Sequence, residues 1–192
     1  MIILHLIFAH LLADFVLQPG KLIRWKMHSG MGILVHVLIH LVITLLVLIP
    51  YLINGHVWPL IVAGGVAFCH FWIDQTKINY DLKHDKKVLP FLLDQALHFS
   101  TLFVAAFTLS EGDLILPNGS FYELYTNPGL ISFLCFSILF TVAIEIYHFQ
   151  KQREKNNTAK LNINNRKMLQ RMLILTVMYI LFLFIYYSGF SG

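Results

Sequence analysis

Apolar runs of about 17–25 residues recur along this chain, and that is the length needed to cross a bilayer core of about 30 Å. One of them reads GILVHVLIHLVITLLVLIPYLI. No feature constrains the fold more. A helix that is apolar all round must lie in lipid or at the centre of a large protein. A chain of 192 residues offers too little surface to hide several such helices inside a soluble core. Composition agrees: 57% of residues are hydrophobic and 12% charged, against about 25% charged in soluble domains. The fold class expected is all-α, a polytopic transmembrane helix bundle.

Six spans are expected, at about 1–17, 30–53, 57–74, 88–110, 129–150 and 168–190. The first lacks a basic leading segment and a small-residue cleavage site, so it reads as a retained span. The division expected is 1–110 as a four-span bundle carrying the site and 111–192 as two further spans with a basic loop, one membrane domain overall. Cys69 and Cys135 lie in apolar context and read as reduced packing residues. Gly64 and Gly65 are expected to let helices approach closely.

Orientation follows from the basic residues. Lys21, Arg24 and Lys26 follow span one; Lys77, Lys83, Lys86 and Lys87 follow span three. Lys151, Arg153, Lys155, Lys160, Arg166, Lys167 and Arg171 lie between span five and the start of span six. Together these are all fourteen Lys and Arg residues, and they occupy alternate loops. The rule that positive loops stay inside then puts both termini outward and the basic loops in the cytoplasm. The net charge of +4 is thus a topology signal; it points to anionic lipid as a partner and not to nucleic acid. The sequence names no protein partner and leaves homo-oligomerisation open. Trp25, Trp58 and Trp72 read as interfacial anchors.

Within this apolar frame, each of the first four spans carries a pair of metal-capable residues four apart: His10 and Asp14, His36 and His40, His70 and Asp74, Asp94 and His98. Each pair shares a helix face. Spans one and three descend toward the basic side with their pairs near the end; spans two and four ascend with their pairs near the start. At 1.5 Å per residue all four pairs fall in one slab of the inner half of the bilayer. Ionisable groups at such depth cost a few kcal/mol unless paired and usually mark a site. Bundle glue made of polar side chains is the bland alternative, but such glue is usually Ser, Thr, Asn or Gln. Five imidazoles and three carboxylates form a ligand set for a divalent transition metal: zinc first, iron or manganese as alternatives, one ion or two.

Gln18 and Gln95 are placed to orient a water or substrate, and Lys77 to meet a substrate phosphate or to reach the interface as a topology lysine. Lys21, Arg24 and Lys26 share that ambiguity. His5, His28, His56 and His84 fall outside the pattern and are expected not to be ligands. Glu145 and His148 resemble half of a di-iron motif, and their membership of the site is left open.

These motifs, H-x3-D-F-x2-Q, H-x3-H, H-F-x2-D-x2-K and D-Q-x2-H, resemble a family of bacterial integral membrane proteins catalogued as a domain of unknown function. The resemblance covers about residues 1–106. It implies that the pairs belong to one site and a location in the bacterial cytoplasmic membrane; it names no reaction.

The function expected first is a metal-dependent membrane hydrolase acting on a lipid-linked or phosphate-containing substrate at the cytoplasmic leaflet. A bound metal lowers the pKa of a water and polarises a phosphoryl or acyl oxygen. His36, His40 and His70 would hold it with Asp74 or Asp94, and Asp14 would act as general base. The alternatives are a metal-ion or proton transporter, since buried Asp and His also build ion pathways, and a scaffold or sensor with a structural metal.

Overall fold

The computed structural model describes residues 1–109, 114–156 and 165–189. Ser110 and Phe190, the expected ends of two spans, and Lys160 of the basic loop lie outside the described residues. Among the described residues all regular structure is helical. Three helical stretches are long and apolar enough to cross a membrane, or four if a bent pair near the N-terminus counts as one.

That bent pair begins with α1, Ile2–Leu11, which runs on through a widened π turn at Leu12–Val16. Pro19 then stands in extended backbone and ends the run. Its fixed φ and missing N–H suit the position just before a new helix. The chain turns by 90° into α2, Gly20–His28. The run of basic residues after span one reads as a loop in the sequence, and the structure makes it a helix. It forms a helix because Leu22 and Lys26, one turn apart, are both buried while Lys21, Arg24 and Trp25 face outward.

Ser29 caps α3, Gly30–Ile53, by accepting a hydrogen bond from the Met31 amide at 3.2 Å. Pro50 is tolerated in the last turn, where Asn54 Nδ2 donates to its carbonyl at 2.7 Å. A turn through Gly55 at φ +87° leads to α4, Trp58–Asp81. This helix outlasts the expected span end at Asp74 because Ile78 and Asp81 continue its buried stripe. α4 is not among the helices apolar enough to count as spans, since its inward face carries His70 and Asp74 and its last turns are polar.

α5, Val88–Thr108, follows, then the short α6, Ser120–Tyr125. α7, Pro128–Ile138, continues through a second π turn at Leu139–Ala143 into α8, Ile144–Lys155, making one stretch of 28 residues. α9 covers Asn165–Gly189.

α1 touches α3, α5 and α7; α3 lies against α4, and α4 against α5. The bundle is organised inside out. Large apolar side chains such as Leu34, Leu38, Val42 and Leu46 project outward from α3, while His36, His40 and Thr44 turn in. Water would not tolerate such a surface; lipid does. Beyond the polar residues, toward the α3–α4 turn, Ile2, Leu6, Leu48, Tyr51, Leu102, Ala105 and Leu109 form a buried cluster.

Two details correct the sequence reading of the glycines. An added Cβ at Gly64 or Gly65 would meet nothing within 4 Å, so neither mediates close packing. The close approach is at Gly32, where a Cβ would lie 2.5 Å from the Lys26 amide nitrogen and 2.6 Å from the Trp25 carbonyl carbon. Gly32 therefore lets α3 rest on the backbone of α2. Gly32→Ala should lower stability by about 1–3 kcal/mol, as for other overpacked sites. Gly65→Ala should not lower it; thermal unfolding in detergent reads both.

Candidate metal centre

Four helices deliver the polar residues to one place because each carries them in its buried stripe. α1 buries Leu6 and His10 and continues to Asp14; α3 buries Ile33, His36, His40 and Thr44. α4 buries Ala67, His70 and Asp74; α5 buries Phe91, Asp94, His98 and Leu102. The helical repeat alone aims these side chains at the bundle axis.

There they meet. His40 Nε2 and His36 Nε2 stand 2.9 and 3.0 Å from Asp14 Oδ1, and His70 Nε2 stands 3.9 Å from it. His36 Nε2 and His70 Nε2 face each other at 3.2 Å. Ligand atoms of Asp14, His36, His40 and His70 all lie within 4.8 Å of one another. The same holds for His10, His70 and His98, and for Asp74, Asp94 and His98. All eight residues of the four sequence pairs thus fall in three overlapping groups, with His70 and His98 shared.

The fit to a cation can be tested on this geometry. Four donors around zinc at about 2.0–2.1 Å stand about 3.3–3.4 Å apart in a tetrahedron. The separations about Asp14 Oδ1 bracket that spacing. Several buried donor atoms are only loosely partnered: His10 Nε2 stands 3.5 Å from Asp14 Oδ2 and His98 Nε2 3.5 Å from Asp94 Oδ1, and His98 Nδ1 has no hydrogen-bond partner. Such loose pairing is costly in a low-dielectric interior, and a cation between these groups would relieve it. The donor set fits a divalent transition metal.

The surrounding residues orient the ligands. With its amide oxygen turned inward, Gln18 accepts from Lys26 Nζ at 2.8 Å and from His36 Nδ1 at 3.3 Å, while its nitrogen donates to the Asp14 carbonyl at 3.2 Å. His36 then carries its proton on Nδ1, and the Nε2 lone pair is left to face the cluster. Gln95 Nε2 donates to Asp94 Oδ2 at 3.1 Å and to Asp14 Oδ2 at 3.3 Å. Lys77 Nζ stands 3.9 Å from Asp94 Oδ2, its side chain 14% exposed.

Lys26 is the residue whose role the sequence left unresolved. Its Nζ donates to Asp74 Oδ1 and Oδ2 at 3.3 and 3.1 Å, and both side chains are buried. The signal was present in the amphipathic spacing of Leu22 and Lys26, but reading GKLIRWKMH as a loop concealed it.

Other residues separate from the centre. Glu145 accepts from Arg171 Nη1 at 2.7 Å, and His148 is exposed, so neither joins the cluster. His5 Nε2 donates to the Tyr125 carbonyl at 2.9 Å and stacks on that ring, His56 Nε2 donates to the Ile115 carbonyl at 3.0 Å, and His84 Nδ1 to the Tyr80 carbonyl at 3.0 Å. His28 is exposed at the end of α2. Cys69 and Cys135 are free thiols. Trp25, Trp58 and Trp72 are all exposed on the outside of the bundle.

The family model described as "Protein of unknown function (DUF3307)" matches residues 2–117, the part that contains all four pairs. No curated protein and no solved structure matches the chain.

Removing one partner of a buried ion pair strands the other. Lys26→Ala should therefore cost about 3–5 kcal/mol. Lys21→Ala, on the exposed side of the same helix, should change stability by less than about 0.5 kcal/mol. Melting of both variants, with Asp74→Ala and Lys26→Ala/Asp74→Ala to close the cycle, checks the assignment.

Proposed function

We propose that this chain, which belongs to the DUF3307 family, is a metal-dependent integral membrane hydrolase that acts on a lipid-linked or phosphate-containing substrate at the cytoplasmic leaflet. The observation that carries the reading is the convergence of five buried imidazoles and three buried carboxylates in three overlapping groups whose ligand atoms lie within 4.8 Å of one another.

The six-span, termini-out arrangement is part of the proposal. To the three stretches long and apolar enough by themselves it adds the bent N-terminal pair, α4, of 24 residues, and α9, of 25. The alternation of basic segments supports this orientation and a cytoplasmic opening for the site. We take residues 1–110 as the bundle holding the site and the remainder as two further spans packed on it.

Asp14, His36, His40 and His70 would hold one cation; beside it His98 shares one donor group with His10 and His70 and another with Asp74 and Asp94. A zinc ion held there would supply Lewis-acid polarisation of a phosphoryl or acyl oxygen and a nucleophile at neutral pH. The chain's own residues do the rest. Whichever of Asp14 and Asp94 does not hold the cation would accept the proton; imidazoles stand against both, at 2.9 and 3.0 Å from Asp14 Oδ1 and at 3.5 Å from Asp94 Oδ1. Gln18 fixes the His36 tautomer, and Gln95 holds two carboxylates in place. Lys77 stands at the rim to meet an anionic group.

Purified protein should carry about one or two divalent ions per chain by elemental analysis, the capacity of the donor sets described. His36→Ala/His70→Ala should lose the metal and with it any turnover of phosphate-containing lipid. Unchanged, substoichiometric metal in that variant would remove the hydrolase reading, and cation flux in liposomes would then support transport.

A further inference from the structure

A passage of about 60 Å³ leads to the centre from the end of the bundle where α2 lies, and one of its walls comes from outside the residues that match the family. Ile146, Phe149, Gln150 and Arg153 form that wall, at the spacing of a single face of α8. The neighbouring residue fixes the wall in place. Glu154 accepts from the amides of Lys87 and Val88 at 2.7 and 2.8 Å and so caps the start of α5. Negative charge at a helix N-terminus is favourable, so the latch also suits the dipole of α5.

The charges along the passage decide what can enter. Lys26, Lys77 and Arg153 line it, against Asp14, Asp74, Asp81 and Asp94. Three cations and four carboxylates leave it net negative by one. Holding one divalent cation makes it net positive by one, so the passage attracts anions only once the centre is loaded. Lys26 is already committed to Asp74 and Gln18. Lys77 reaches Asp94 only at 3.9 Å, and Arg153 lines the same cavity without a close carboxylate partner among the described residues. The Arg153 guanidinium stands 5.7 Å from the Phe149 ring centroid and donates one long hydrogen bond, 3.4 Å, to Gln150. Its planar fork suits a phosphate better than an ammonium would.

We propose that Arg153, with Lys77 across the passage, reads a phosphate group of the substrate, and that this group binds only after the metal. The inference rests on the metal-dependent reading above and deepens it. It assigns substrate selection to a helix beyond the family-matched segment, so chains that share residues 2–117 but differ at α8 would share the centre and differ in ligand.

The test uses the full chain in maltoside micelles, loaded with zinc and desalted, and titrated with inorganic phosphate by calorimetry. Zinc-loaded protein should bind phosphate, and metal-stripped protein at least about tenfold more weakly. Arg153→Ala should weaken phosphate binding at least about tenfold at unchanged zinc content, with Arg153→Lys recovering part of it. Melting temperatures confirm that both variants are folded. Micelles doped with phosphatidic acid then separate the sources. Competition with inorganic phosphate identifies a lipid headgroup as the natural ligand; its absence identifies a water-soluble phosphate. Equal phosphate affinity in wild type and Arg153→Ala at equal zinc content overturns the inference while leaving the metal centre standing. Failure to load zinc at all overturns the metal-dependent reading, and the anion site falls with it.

Discussion

Burying a charge without a partner costs several kcal/mol, and the arrangement of this bundle follows from that cost. Each of the first four long helical segments brings a pair of His or Asp residues that lipid would not accept. The cost is met when the pairs face one another, and this requires the helices to stand in one order and register. Asp14 illustrates the coupling. Three imidazole nitrogens reach its Oδ1 from two other helices, and Gln95 reaches its Oδ2 from a third. A shift of any of these helices by one turn, about 5.4 Å, would break several of those contacts at once.

The same constraint explains α2. A basic nine-residue segment between two apolar runs would ordinarily lie free at the membrane surface. Here it is pulled against α3 at Gly32, and Lys26 is sunk into the bundle to meet Asp74. The 90° bend after Pro19 makes this reach possible. Gln18, at the bend, joins Lys26 to His36, so the surface helix and the centre form one hydrogen-bonded unit.

The pairing of His10 with Asp14, His36 with His40, His70 with Asp74 and Asp94 with His98 was legible in the sequence because helical periodicity fixes which residues share a face. Their meeting in space was legible because alternating helix direction fixes depth. What was not legible depends on contacts between segments. Gly32 and Gly65 look alike in sequence, yet Gly32 faces a backbone at 2.5 Å and Gly65 faces open space. Lys26 and Lys21 sit on the same short helix, one buried and one exposed, and only the position of α3 decides which. Glu145 and His148 matched a ligand motif, but Arg171 of a later helix holds the carboxylate and the imidazole faces outward. Arg153 and Glu154, read only as part of a basic loop, gain their roles from α5 and from the cavity beside it.

The order in which the centre is assembled carries a consequence for biogenesis. Asp14 and Gln95 are 81 residues apart in the chain, although their side chains touch. At a ribosomal speed of roughly 5–20 residues per second, Asp14 precedes that partner by roughly 4–16 s. His36 and His40 of α3 follow Asp14 much sooner and can partner its Oδ1, whereas the Oδ2 contact waits for α5. The first and third helices can therefore pair early, with the set closed only when Gln95 arrives.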